Sequence, residues 1–285
     1  MRSEQPTEPN ASHHGAPERE LESPPGVIRV VHPFLQAPEE AFRVSALFWF
    51  GGMLLLAVPM ITLLDVPVAR WFATDPLPRE FGNALELTLV FSHGSGVFLF
   101  LFGFFLMSPN RRWHLPRLVV LPLGAGAIAT LAKMFVLRPR PTGLNLDVAS
   151  FDSAWLWAFD WSLSQVATFD ASTRAFPSGN MATATALTIG LWMILPRGRW
   201  LFAMICVGTA LQRLACSAHF PSDILGGAAF GFLWAYACFH PRLLGNLFDK
   251  MQPENQPKRR RPIDTESVDS QFTQDDEGDQ QPLAA

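Results

Sequence analysis

A chain of 285 residues that is 49% hydrophobic and only 16% charged falls well short of the about 25% charge of an ordinary soluble domain. Its formal net charge of −3 excludes a global basic field for nucleic acid. The three cysteines, Cys206, Cys216 and Cys238, stand in apolar stretches without CxxC spacing, which argues for buried packing residues and against disulfides or zinc ligands.

Residues 1–40 are rich in Pro, Glu, Ser and His and read as a disordered cytoplasmic tail. The pair His13-His14 there fits a solvated tail better than a metal site. No apolar signal-peptide core stands near residue 1, so the first membrane segment is expected to direct insertion itself. Residues 41–248 read as an all-α, six-transmembrane-helix domain. Residues 249–285 read as a second disordered cytoplasmic tail, which opens with the basic cluster Lys258-Arg259-Arg260-Arg261.

Six apolar runs carry the membrane assignment. Val44–Leu64 and Leu87–Met107 contain no Asp, Glu, Lys or Arg, and each matches the about 20 residues that span a ~30 Å hydrocarbon core. Leu118–Leu137 carries one charge, Lys133, near its end. Met181–Leu195 is shorter and continues upstream through a Pro-Ser-Gly turn. Trp200–Ala218 carries Arg213 near its end, and Ile224–Phe239 follows Asp223. Gly, Ala, Ser and Thr recur in the last four runs, as close helix approach in a membrane requires. Arg111, Arg112, Arg117, Arg197, Arg199, Arg242 and Lys250 all fall on one side of this six-run topology. The positive-inside rule makes that side cytoplasmic, with both termini on it. The protein is thus expected as a multi-pass inner or plasma membrane protein.

The alternation of span direction has a consequence for the polar residues. Lys133 and Arg213 fall at the outer ends of the third and fifth spans, and Ser178 and Asp223 at the outer starts of the fourth and sixth. Three separated polar pieces, Lys133-x6-Arg140-Pro141, Pro177-Ser178-Gly179-Asn180 and Arg213-x5-His219-x3-Asp223, therefore converge on the extracytoplasmic face. Taken singly, each has a bland reading. Lys133 and Arg213 would snorkel to the interface, Ser178 would be an ordinary helix cap, and Asp223 would cap a helix beside an exposed His219. Arg138 is expected as an interfacial anchor. Together the pieces supply three cations, a helix N-terminus that attracts anions, and a histidine spaced to be oriented by a carboxylate. That set suits holding a phosphoryl group and attacking it with imidazole. No third ligand with sound spacing supports a metal site.

The three pieces resemble the signature of the type 2 phosphatidic acid phosphatase superfamily, which also includes bacterial acid phosphatases, glucose-6-phosphatase and vanadium haloperoxidases. Its pattern is K-x6-RP, then PSGH, then SR-x5-H-x3-D, and the resemblance covers roughly residues 85–240. It implies the membrane-bound lipid phosphatase branch, with no metal or other cofactor. It also implies His219 as the nucleophile forming a phosphohistidine, Asp223 as its orienting partner, and Lys133, Arg140, Arg213, Ser178 and the Gly179 amide as phosphate ligands.

Two positions depart from the pattern. Gln212 replaces a small residue, with little expected consequence. Asn180 replaces the histidine that protonates the leaving oxygen, and an amide is no general acid at neutral pH. A diphosphate leaving group is far less basic than an alkoxide and depends less on that proton. The expected substrate is therefore a phosphorylated lipid, polyprenyl diphosphate ahead of a phosphatidic-acid-like monophosphate. His93, in Ser92-His93-Gly94, is an auxiliary proton donor or else a helix-packing residue. The alternatives to hydrolysis are a lipid phosphotransferase and a catalytically impaired homologue that binds phosphorylated lipid. Phe151, Trp155, Trp157, Phe159 and Trp161 in the long outer loop either border lipid entry or form a folded cap.

Overall fold

The computed structural model describes residues 38–75, 77–155, 157–163 and 171–251. The bulk of both expected tails, with His13-His14 and the basic cluster at 258–261, lies outside the described residues. What is described is mostly helical. In chain order the helices are α1 (Pro38–Thr62), α2 (Asp65–Thr74), α3 (Arg79–Leu87), α4 (Gly94–Met107), α5 (Leu115–Phe135), the single turn α6 (Phe151–Ala154), α7 (Gly179–Ile194), α8 (Arg199–Ala215), α9 (Pro221–Phe239) and the short α10 (Asn246–Asp249). Two short strands, β1 (Val136–Leu137) and β2 (Ala158–Phe159), pair antiparallel. They tie the aromatic outer loop to the end of α5.

Among the described residues, three helical stretches are long and apolar enough to cross a membrane: Val44–Thr62, Pro109–Phe135 and Pro221–Phe239. Residues Arg79–Phe91 and Gly94–Met107 make a fourth if taken as one span, but the two arms meet at 66°. The second apolar run is thus not one continuous helix. The break falls at Ser92-His93, where His93 is extended (φ −91°, ψ 136°). Its cause is local. Gly94, Ser95 and Gly96 follow, all poor helix-interior residues, and a Cβ on Gly96 would stand 2.6 Å from the Val90 carbonyl oxygen. α7 has 16 residues and α8 has 17, so α7 is about 24 Å long, short of a ~30 Å core.

α7 is the most enclosed helix of the bundle. It lies between α5 and α9 and packs against α8 as well, while α1 covers the far side of α9. Ala182, Ala184, Ala186, Leu187 and Leu191 are fully buried along it. The contact of α7 with α9 depends on a missing side chain. A Cβ on Gly227 would stand 2.3 Å from the Ser178 carbonyl oxygen, so only glycine allows the two helix starts to come this close. That approach sets the Ser178 turn against Asp223. On the opposite end of the bundle, a buried pair between Arg117 and Asp249 (2.7 Å) fixes the start of α5 to α10. α4 presents Phe98, Leu99, Phe102 and Leu106 as an exposed apolar face.

Two sequence expectations about single residues fail here. Cys206 and Cys238 are buried free thiols as expected, but Cys216 is exposed, because α8 stops at Ala215 while the apolar run continues past the helix. Arg138 is not an interfacial anchor but one of the largest fully buried side chains.

Candidate active site

The site lies where α5 ends and α7 and α9 begin. Ser178 caps α7. Its backbone is extended, and its Oγ accepts from the Met181 amide at a long 3.5 Å. Its own N–H donates to the Asp223 carbonyl oxygen at 3.0 Å, so the second and third polar pieces are joined through the backbone. The first N–H groups of a helix have no intrahelical partner, and Gly179 leaves the space beside them open: nothing stands within 4 Å of where its Cβ would be. Asn180 follows as the second residue of α7, half-buried.

The first piece reaches the same place. Lys133, in the last turn of α5, donates from Nζ to the carbonyls of Arg174 (2.8 Å) and Ala175 (3.3 Å). Arg174 answers by donating to the carbonyls of Lys133 (2.6 Å) and Met134 (2.8 Å), which satisfies two of the last carbonyls of α5. Arg140 is placed by its N–H, which donates to the Ser172 carbonyl at 3.0 Å. Its Nε is buried without a hydrogen-bond partner.

His219 sits in the turn between α8 and α9 and is only 6% exposed. Its Nδ1 is 3.7 Å from Asp223 Oδ2, longer than a hydrogen bond but close enough for a small shift to make one; such contacts often tighten only when substrate binds. Burial pushes the His219 imidazole below the ordinary histidine range. The nearby charges of Lys133 and Arg140 push the same way, and Asp223 opposes them. This electrostatic coupling also shows that Lys133, Arg140, His219 and Asp223 form one cluster.

Asp223 is held from several directions. Oδ2 accepts from the Phe220 N–H at 2.9 Å, and Oδ1 accepts from Arg138 Nη1. Arg138 also donates to Ser222 Oγ (2.7 Å) and to Asp65 Oδ2. Asp65, the first residue of α2, accepts from both the N–H (3.0 Å) and the hydroxyl of Ser222. The guanidinium lies between the rings of Trp157 (4.4 Å) and Phe220 (4.9 Å). Asp65, Arg138 and Ser222 were not among the residues the sequence marked as functional.

Arg213 and His93 are elsewhere. Arg213, in the last turn of α8, is half-buried, and its Nε donates to its neighbour Gln212 at 2.6 Å. With Gln212, Glu86, Ser95 and His93 it lines an open cleft of about 540 Å³. His93 is exposed just before α4, which does not fit a buried packing role. In the outer loop, Trp155 is exposed, Phe159 and Trp161 stack at 5.8 Å, and Trp157 packs edge-on to Phe176 at 4.9 Å. Among the described residues, no cluster of three or more His, Cys, Asp or Glu side chains could hold a metal ion.

Residues 113–243, which carry all three polar pieces, match the family model of the PAP2 superfamily. That stretch of the chain belongs to the PAP2 superfamily. Among curated proteins, the chain is similar to a lipid A 1-phosphatase of Rhizobium etli, 28% identical over 141 residues, covering 48% of this chain and 54% of that one. It is also similar to a lipid A 1-phosphatase of Rhizobium johnstonii, 25% identical over 139 residues, covering 48% and 51% respectively. The chain thus spans about half the length of the curated relatives it matches. A solved transmembrane PAP2-type phosphatidylglycerolphosphate phosphatase from Bacillus subtilis superposes with a TM-score of 0.46 at 17% identity, covering 77% of this chain and 100% of that one. Asp65 and His93 lie outside the PAP2-matched stretch, while Arg138 and Ser222 lie inside it.

Proposed function

We propose that this PAP2 protein is a lipid phosphate phosphatase that works through a phosphohistidine on His219. The observation that carries the reading is the cluster itself. A buried imidazole backed by a carboxylate faces two cations, Lys133 and Arg140, beside a helix start left open at Gly179. Nδ1 of His219 faces Asp223, so Nε2 attacks phosphorus, and the bond from phosphorus to the leaving oxygen breaks with its electrons on that oxygen. Asp223 balances the positive charge that develops on the ring. Water then attacks the phosphohistidine and releases inorganic phosphate. Arg213 joins the phosphate ligands by swinging from Gln212 when substrate enters. The nucleophile must be unprotonated at Nε2, and burial lowers its proton affinity. The acidic limb of kcat/KM therefore lies below the about 6.5 of an ordinary histidine.

Six crossings complete this reading. α7 and α8 join the three long spans and the bent one, the site faces away from the cytoplasm, and both termini are cytoplasmic. The shortness of α7 is offset by its enclosure, since its neighbours and not lipid cover most of its surface. The exposed Trp155, Phe159 and Trp161 border the path by which lipid reaches the site.

Asn180 narrows the substrate. Without an acid at that position, the favoured lipids are those whose leaving oxygen is weakly basic. A diphosphate meets that condition. So does a sugar phosphate at the anomeric carbon, because a hemiacetal oxyanion is less basic than a simple alkoxide. The test is phosphate release by purified protein from polyprenyl diphosphate, lipid A and phosphatidic acid. The first two should exceed the third by roughly the 10²-fold or more that an acid catalyst supplies. Faster release from phosphatidic acid would overturn the assignment, and absence of release from all three, with no phosphohistidine trapped, would favour a binding protein.

A further inference from the structure

We propose that Asp65 and Arg138 are positioning residues that clamp Asp223 and set the charge His219 works against. The proposal rests on the phosphohistidine reading and extends it to a helix junction far in sequence from the signature residues. It starts from a mismatch. Arg138 places a full positive charge directly on the carboxylate that should support the nucleophile. A neutral Arg138–Asp223 pair would leave His219 facing Lys133 and Arg140 with little to balance them. Asp65 removes the mismatch. It takes the second nitrogen of the same guanidinium, so two carboxylates share one cation and the group keeps a net negative charge on the His219 side.

The geometry is that of a fixed device. The side chains of Asp65, Arg138 and Asp223 are at most 1% exposed. Ser222 fills the remaining gap, accepting from Arg138 at 2.7 Å and donating to Asp65 through both its N–H and its hydroxyl. The rings of Trp157 and Phe220 both lie against the guanidinium. Stability alone explains the arrangement poorly, because buried ion pairs at best break even against well-packed apolar side chains of similar volume. A positioning role explains why three charges are kept in a place where any of them is costly.

Among the described residues, charged groups face this system from several elements. Asp223 faces His219 from α9, Lys133 from α5, and Arg140 from the segment after β1. Arg138 and Ser222 face Asp65 from the other side. Arg174 sits behind Lys133, and Arg213 lies in the separate cleft with His93.

The experiment uses the full chain in lipid nanodiscs, with wild type, Asp65→Asn, Asp65→Glu and the double variant Asp65→Asn/Arg138→Gln. Two readouts are taken: the pH profile of kcat/KM for phosphate release, and the titration of His219 by NMR of labelled histidine, assigned with His219→Ala. Asp65→Asn removes one negative charge, so the His219 titration and the acidic limb should both move down by about one pH unit, with kcat about 10-fold lower. Asp65→Glu keeps the charge and should hold the wild-type profile. The double variant restores the net charge and should return the titration towards wild type. If Asp65→Asn does not fold, Asp65→Ser removes the same charge and should give the same direction. Activity lost with both pH readouts unmoved would overturn the clamp in favour of a plain structural brace, as would a double variant shifted as far as the single. The titration does not need turnover. A protein that never releases phosphate would refute the functional reading, and the clamp would still stand or fall on the His219 shift.

Discussion

Arg213 and Asp223, the two ends of Arg213-x5-His219-x3-Asp223, stand ten residues apart in the chain and are held in opposite ways. Asp223 is fully buried and fixed by a backbone amide, a guanidinium and the α9 helix start, with Asp65 behind the guanidinium. Arg213 is half-buried at a helix end, bonded to its own neighbour, and turned to an open cleft. The difference teaches that the surroundings of the proposed nucleophile are built before substrate arrives, as efficient electrostatic catalysis requires. In the proposed mechanism the third cation, Arg213, is recruited on binding.

The sharpest way to break this contrast is at the nucleophile. His219→Ala should lower phosphate release by on the order of 10³-fold or more while leaving the melting temperature close to wild type. Asp223→Ala should do damage of another kind. It leaves Arg138 paired with Asp65 but takes the acceptor from the buried Phe220 N–H, and should cost about 1–3 kcal/mol of stability, visible in thermal unfolding, besides lowering turnover. Asn180→His sharpens the pinned half by supplying the proton donor it lacks. Release from a lipid monophosphate should rise by about 10²-fold, with little change on a diphosphate. Arg213→Gln belongs to the unpinned half. It should raise KM by about 10-fold, in line with losing a charged hydrogen bond, and leave thermal unfolding unchanged. An Arg213→Gln protein that unfolds as early as Asp223→Ala would erase the distinction between the halves.

These predictions divide along what the sequence could reveal. The three signature pieces were legible because helix ends and fixed spacings are local properties. Lys133, Arg140, Ser178, Gly179, His219 and Asp223 lie near the end of α5 and the starts of α7 and α9. Arg138 was misread because its role depends on Asp65, 73 positions away, and no local pattern encodes that distance. Asp65 stands just past an apolar run, where a charge is ordinary, and its burial marks it out. The break at His93 was hidden because glycine, serine and histidine interrupt a helix without interrupting hydropathy. The apolar runs also overstate helix length: the run through Ala218 outlasts α8, which ends at Ala215, and Cys216 falls in the difference.

Gly179 carries a consequence outside catalysis. Its missing methyl is a clearance and not a packing demand, since no protein atom lies near that position, and alanine is the better helix residue. A Gly179→Ala chain should fold, insert and resist degradation as well as wild type while its phosphate seat is obstructed. Cellular quality control reads exposure of unfolded surface and not vacancy of a site. Such a chain would accumulate to full abundance, so abundance and activity come apart at this one position.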